Sequence, residues 1–243
     1  MAHQGSRITA WLGACLLAGS AAPARADWTV AAFLGSASTR PSSIRLQQPG
    51  AGTDLSYRPV VYDDESFVSP VYYGYRFGHT LPFAPRFAVE AEFVHLKAFA
   101  DTRATATLRG TERDAGVERT EPLNRTIERF SISHGVNFVL INLAYRQPLG
   151  SDEGRVAVTA RAGAGPTVPH GESTIHGESL DQYELGALGW QVAAGVDVRL
   201  AKGLRALAEY KFTRTRQTVS VAGGTAGTLL CTHHVVFGLG YQR

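Results

Sequence analysis

From Asp27 onward, apolar and polar residues alternate with period two in segment after segment, and Gly, Pro, Asp and Thr punctuate the breaks. Eight such segments predict strands: 28–36, 66–77, 86–99, 130–147, 155–165, 187–200, 204–213 and 229–242. In the second, Phe67, Val71, Tyr73, Tyr75 and Phe77 share one face, and Tyr72, Gly74 and Arg76 the other. The seventh opposes Ala206, Ala208, Tyr210 and Phe212 to Arg205, Glu209 and Lys211. Each segment therefore has one apolar face and one face of polar, charged or glycine residues.

Connections after the second, fourth and sixth segments are short (GHTLPFAP, PLGSDEG, AKG), whereas 37–65 and 100–129 are long. Alternating strands with uneven connections suit a membrane barrel, with apolar residues toward lipid and charged residues packed inside. The predicted fold is all-β: one eight-stranded antiparallel up-and-down transmembrane β-barrel over 27–243. Short turns are expected on the periplasmic side, with long extracellular loops at 37–65 and 100–129. A soluble periplasmic β-domain is the competing architecture.

The amino terminus changes the picture of location. Arg7 precedes a small and apolar run, and Ala24-Arg25-Ala26 closes it, which predicts a cleaved secretory signal peptide over 1–26. No later stretch supplies the 18 or so consecutive apolar residues a spanning helix needs, so any crossing is by strands. The expected location is the outer membrane of a Gram-negative bacterium. Removing 1–26 takes Arg7 and Arg25 and no acid, lowering the formal charge from +3 to +1, which argues against a nucleic-acid partner. Cys231 is then the sole cysteine, and no internal disulfide can form.

On this topology six of the eight histidines fall on the outer side: His95, His134, His170, His176, His233 and His234. The tetrapeptide His-Gly-Glu-Ser occurs at 170–173 and again at 176–179. The first copy is assigned to the outward end of the fifth strand, the second to a loop. Strand ends are rigid and can hold side chains in convergent geometry. Two imidazoles and a carboxylate from His134, His170 and Glu172 form a set that suits divalent iron, manganese or zinc. Equally, a histidine at a membrane interface can be an amphipathic residue hydrogen-bonded at the lipid boundary. Glu209 and Lys211 share one inward face and are expected in an internal ion-pair network. An eight-stranded barrel is filled by side chains, so no transport pore is expected.

The segments FVHLKAFADT (93–102), FSISHGVNFVLINLAYR (130–146), GAGPTVPHGES (163–173), AEYKFTRTR (208–216) and THHVVFGLGY (232–241) resemble, in order, the outer-membrane β-barrel proteins related to the lipid A oxidase of rhizobia. The resemblance implies oxygen-dependent conversion of the proximal glucosamine of lipid A to 2-aminogluconate, with peroxide as by-product and molecular oxygen as co-substrate. The matching positions are His95, Lys97, His134, Asn137, His170, Glu172, Glu209 and His234. On chemical grounds His134, His170 and Glu172 are candidate metal ligands or general bases, and Lys97 a phosphate or sugar contact. The implied partners are the outer membrane and its lipopolysaccharide, met by a monomer. A non-catalytic barrel that binds or stabilises lipopolysaccharide or another surface partner is the alternative. A His-x-Ser deacylase is disfavoured, because Val136 stands two residues after His134 and Ser133 precedes it.

Overall fold

The computed structural model describes residues 27–150 and 154–243. The predicted signal peptide lies outside the described residues, as do 151–153 of the short connection PLGSDEG. In chain order the strands are β1 (Trp28–Thr39), β2 (Ser42–Gln48), β3 (Thr53–Val60), β4 (Tyr62–Asp63), β5 (Tyr73–Leu81), β6 (Ala84–His95), β7 (Ala98–Ala100), β8 (Thr105–Glu112) and β9 (Ala115–Pro122). They continue with β10 (Ile127–Ile132), β11 (Phe138–Pro148), β12 (Val156–Pro166), β13 (His170–Ile175), β14 (Glu178–Tyr183), β15 (Leu188–Arg199), β16 (Leu204–Val221) and β17 (Gly224–Gln242).

Eight of these close on themselves. The order β1-β5-β6-β11-β12-β15-β16-β17 is antiparallel throughout, and β17 pairs back onto β1 from Thr29↔Gln242 to Thr39↔Thr232. Closure leaves no open edge in the ring. Val30, Tyr75, Phe77, Ile141, Val192 and Phe237 stand exposed on its outside. Across its middle, three cations face three anions, Arg76, Arg161 and Lys211 against Glu90, Glu92 and Glu209, all buried or nearly so, and Arg146 pairs with Asp197 at 3.5 Å farther along the inner face. Glu92 also accepts from Asn142 (2.9 Å) and Gln191 (3.0 Å). Apolar side chains outward and paired charges inward is the arrangement a lipid surrounding stabilises, since in water the outer face would go uncovered.

Most of the apolar core lies at one end of the ring, although Phe33 and Val236 of the ring strands belong to it. From β17 the main sheet continues through β2, β3 and β8 to β9. A second antiparallel sheet, in the order β14-β13-β10-β7-β4, packs against this extension. Ile44, Leu46, Leu55, Leu108, Ile127 and Ile132 are sealed between them with essentially no exposed surface. Thr39 at the end of β1 ties the second sheet to the ring: its amide and hydroxyl donate to the two oxygens of Asp64, at 2.7 and 2.5 Å.

Several predicted boundaries move. The segments 37–65 and 100–129, expected as loops, are mostly strand, and they build the extension and part of the second sheet. Residues 66–72 are not strand: Pro70 has no amide to give a ladder, and pairing starts at Tyr73. Much of the expected turn GHTLPFAP is paired instead, since β5 runs to Leu81 and β6 begins at Ala84. The predicted strands 86–99 and 130–147 each split, giving one piece to the ring and one to the second sheet. The β16–β17 hairpin runs on to Val221↔Gly224, well past the expected ends at 213 and 229. There the inward positions are Thr213, Thr215 and Gln217, buried but polar, so no apolar alternation announces the strand.

Candidate functional site

The break between β10 and β11 builds one half of the site. Ser133 and His134 follow the last residue of β10, and Gly135 and Asn137 take positive φ values of 98° and 50° to turn the chain into β11. The other half comes from β13. Its register with β10 sets Ser131 opposite Glu172 and Ile132 opposite Gly171, so Ser133 arrives beside His170. The HGES repeat is thereby explained: the first copy opens β13, and the second makes the turn into β14, with His176 and Gly177 both at positive φ as a tight hairpin turn requires. The first copy thus starts a strand of the second sheet, not the end of the fifth ring strand, which stops at Pro166.

Three ligand atoms converge. His134 Nδ1 lies 3.0 Å from His170 Nδ1, and Glu172 Oε1 lies 3.4 Å from the first and 3.8 Å from the second. A triangle with those edges has its centre about 2.0 Å from every corner, the length of a metal–imidazole or metal–carboxylate bond. The surroundings orient the donors. Asp181 lies 2.6 Å from His170 Nε2 and accepts from it, which leaves the Nδ1 lone pair facing the cluster. Arg129 occupies the other oxygen of Glu172. Ser133 donates to Glu172 Oε1 and lies 3.1 Å from His134 Nδ1. The donor set, its spacing and its tautomer fit a divalent metal ion.

A second pair adjoins the first. Asn137 spends its amide protons on the carbonyls of His134, Gly135 and Val168, so its Oδ1 accepts from His95 Nδ1 at 2.9 Å. His95 Nε2 is then an unprotonated acceptor, and it has no partner. The His95 ring stacks on Tyr73 with centroids 4.9 Å apart. A pocket of about 480 Å³ opens here, floored by His95, His134 and Asn137 and walled by Tyr73, Phe93 and Val139 from the outside of the ring. His134 is exposed to it, while His170 is buried behind.

The eight candidate residues separate into two groups. His95, His134, Asn137, His170 and Glu172 meet at this rim. Glu209 and His234 point into the ring: Glu209 binds Arg76 (3.0 Å) and Arg161 (2.5 Å), and His234 Nε2 lies 2.9 Å from Thr213 Oγ1. Lys97 is buried, donating to the Val68 carbonyl at 3.0 Å and pairing with Glu65 at 3.5 Å, and it does not reach the pocket as a phosphate or sugar contact would. Asp181, Arg129 and Tyr73 were not singled out in the sequence. Asp181 faces Glu172 across the β13–β14 hairpin, a relation visible only once that register is known.

An apolar-outside, charged-inside ring raises the question of family. Residues 12–242 match the family model described as outer membrane protein beta-barrel domain. The chain belongs to this family. As an outer-membrane β-barrel protein it resides in the outer membrane of a Gram-negative bacterium, and the exposed apolar band of the ring is its lipid-facing wall. Solved structures similar to it include neisserial surface protein A, NspA (8% identity, 88% of this chain and 96% of that one, TM-score 0.42), and the outer membrane protease OmpT from Escherichia coli (10%, 93% and 99%, 0.43). Ail, the attachment invasion locus protein of Yersinia pestis, solved with the heparin analogue sucrose octasulfate, is 13% identical over 90% of this chain and 99% of that one, with a TM-score of 0.36. No curated protein matches the barrel.

Proposed function

We propose that the chain is an eight-stranded transmembrane barrel whose rim site oxidises the proximal glucosamine of lipid A to 2-aminogluconate. One observation carries the reading: His134, His170 and Glu172 converge beside a pocket that opens on the lipid-facing wall, the side from which an outer-leaflet glycolipid arrives. Two histidines and one carboxylate with open positions are the donor set of oxygen-using iron sites. The implied active end is the one carrying the second sheet, turned outward.

In this reading His134, His170 and Glu172 would hold a divalent redox-active metal ion, which when bound would supply the two-electron chemistry between sugar and oxygen. Asp181 keeps His170 in the ligating tautomer. His95 Nε2, buried and left unprotonated by Asn137, would take the proton of the anomeric hydroxyl once the seated sugar reaches it. Tyr73, Phe93 and Val139 shape the apolar side of the pocket and limit water. The hemiacetal loses two electrons and two protons to oxygen, giving a lactone and hydrogen peroxide. Water then opens the lactone to the acid, a net gain of one oxygen atom.

Mass spectrometry of 1-dephosphorylated lipid A after incubation with the refolded full chain tests this. The expected result is a gain of one oxygen in air that disappears under nitrogen or with a chelator. Unchanged lipid A in air, with metal supplied, overturns it in favour of a non-catalytic barrel that binds or stabilises lipopolysaccharide.

A further inference from the structure

Away from the histidine pocket, on the β16–β17–β1 side of the ring, three arginines stand exposed in one patch: Arg40, Arg214 and Arg216. The register places them. Arg214 pairs with Trp190 on one side and Cys231 on the other, and the Arg40 amide donates to the Cys231 carbonyl at 2.9 Å, so Trp190, Arg214, Cys231 and Arg40 form one lateral row. Arg216, opposite Leu229, is one row further from the ring centre, a step of about 7 Å. Arg40 and Arg214 are two strands apart, about 10 Å between backbones, well within the joint reach of two arginine side chains.

The row nearer the ring centre is Val192, Phe212, His233 and Ser38, with Tyr210 beyond it. Aromatic residues gather where the hydrocarbon meets the headgroups, so the arginines stand at headgroup depth, directly above the belt formed with Trp190. None of the three pairs with an acid among the described residues. The next outward arginine, Arg45 on β2, is by contrast spent on Asp54 at 2.8 and 2.7 Å. All three are arginine, whose planar fork binds phosphate through two parallel hydrogen bonds.

We infer that Arg40, Arg214 and Arg216 form a docking surface for the phosphate groups of the outer-leaflet glycolipid. The inference rests on the outward orientation of the rim proposed above and not on the oxidase chemistry. It places a second lipid contact on a wall separate from the histidine pocket, so a bound glycolipid here is held and not turned over.

The test is native mass spectrometry of the refolded full chain in detergent, counting retained lipids. Three probes are offered separately: bis-phosphorylated lipid A, phosphate-free lipid A and phosphatidylglycerol. The wild type is expected to retain bis-phosphorylated lipid A preferentially, and the combined Arg40→Gln, Arg214→Gln, Arg216→Gln variant to bind it about a hundredfold more weakly. The matching triple Arg→Lys variant keeps part of the affinity, and raised salt weakens the wild type toward the glutamine variant. Heat-shifted gel migration identifies the folded barrel in each sample. Equal retention by the folded glutamine variant, or no preference for phosphate in the wild type, overturns the proposal. Phosphatidylglycerol held as tightly as lipid A overturns the glycolipid assignment. Retention is read without turnover, so an inactive rim site leaves the result unchanged.

Discussion

His134 Nδ1 and His170 Nδ1 face each other at 3.0 Å. Because His170 Nε2–H donates to Asp181, its Nδ1 presents a lone pair, and the facing nitrogen must bring either a proton or a share in a cation. With a cation, replacing both histidines by alanine abolishes binding of zinc or iron(II) measured by dialysis and metal content. Asp181→Ala, which removes only the orienting acceptor, is expected to weaken binding about 10–100-fold. Unchanged metal in the double histidine variant would sink the site.

Gly135 sits where a side chain has no room. A Cβ there would come 2.4 Å from His95 Nδ1 and 2.6 Å from Asn137 Oδ1, and its φ of +98° is strained for any other residue. Gly135→Ala should break the His95–Asn137 bond and cost about 1–3 kcal/mol of backbone strain. The expected outcome is a folded barrel that binds metal but oxidises lipid A far more slowly. Full activity in that variant would remove His95 from its role as base.

Glu92 is the hub of the ring's interior, with Lys211 and Arg76 as its cations and Asn142 and Gln191 as donors. Glu92→Gln leaves Arg76, Arg161 and Lys211 with two anions among them and takes from Lys211 its nearest partner. Breaking a buried pair from one side costs about 3–5 kcal/mol, so the urea midpoint of the liposome-folded protein should drop sharply. Lipid A docking at the arginine patch is expected to persist in whatever fraction stays folded. A midpoint within error of the wild type would mean that water enters the ring and screens the charges.

Asp64 tests how the second sheet is fastened. Burial pushes its carboxyl above the ordinary aspartate range, although the Thr39 hydroxyl and amide oppose this. A raised folded value means the stabilising contribution is complete below the unfolded value of about 3.9 and is lost as pH rises through the folded one. Between pH 4 and 7 the wild type should therefore lose stability relative to Asp64→Asn, which cannot ionise. Parallel pH profiles of the two unfolding midpoints would contradict the assignment.

The alternation of side chains along an extended backbone needs no partner strand to be read, and this is why the ring was legible. Tyr73, Tyr75 and Phe77 against Arg76, or Tyr210 and Phe212 against Glu209 and Lys211, declare a lipid face and an ion-paired face from local sequence alone. The candidate ligands were legible by type and by their place near strand ends. The second sheet was not, because β7 and β10 continue the alternation of the ring strands without a change of period. Nor were the polar tops of β16 and β17, where Thr213, Thr215 and Gln217 are buried on a face with no apolar signal.

The amino-acid sequence by itself determined an outer ring of eight amphipathic strands and the pool of histidines and carboxylates near one end. Tertiary structure alone decided which of them meet. His134 follows β10 and His170 opens β13, two paired strands of a sheet whose existence no local pattern announces, and Asp181 joins them through the register of a hairpin. Lys97, His234 and Glu209 are drawn instead into buried networks. The physical reason is that local alternation sets which face a side chain takes, whereas the pairing of distant strands sets its neighbours.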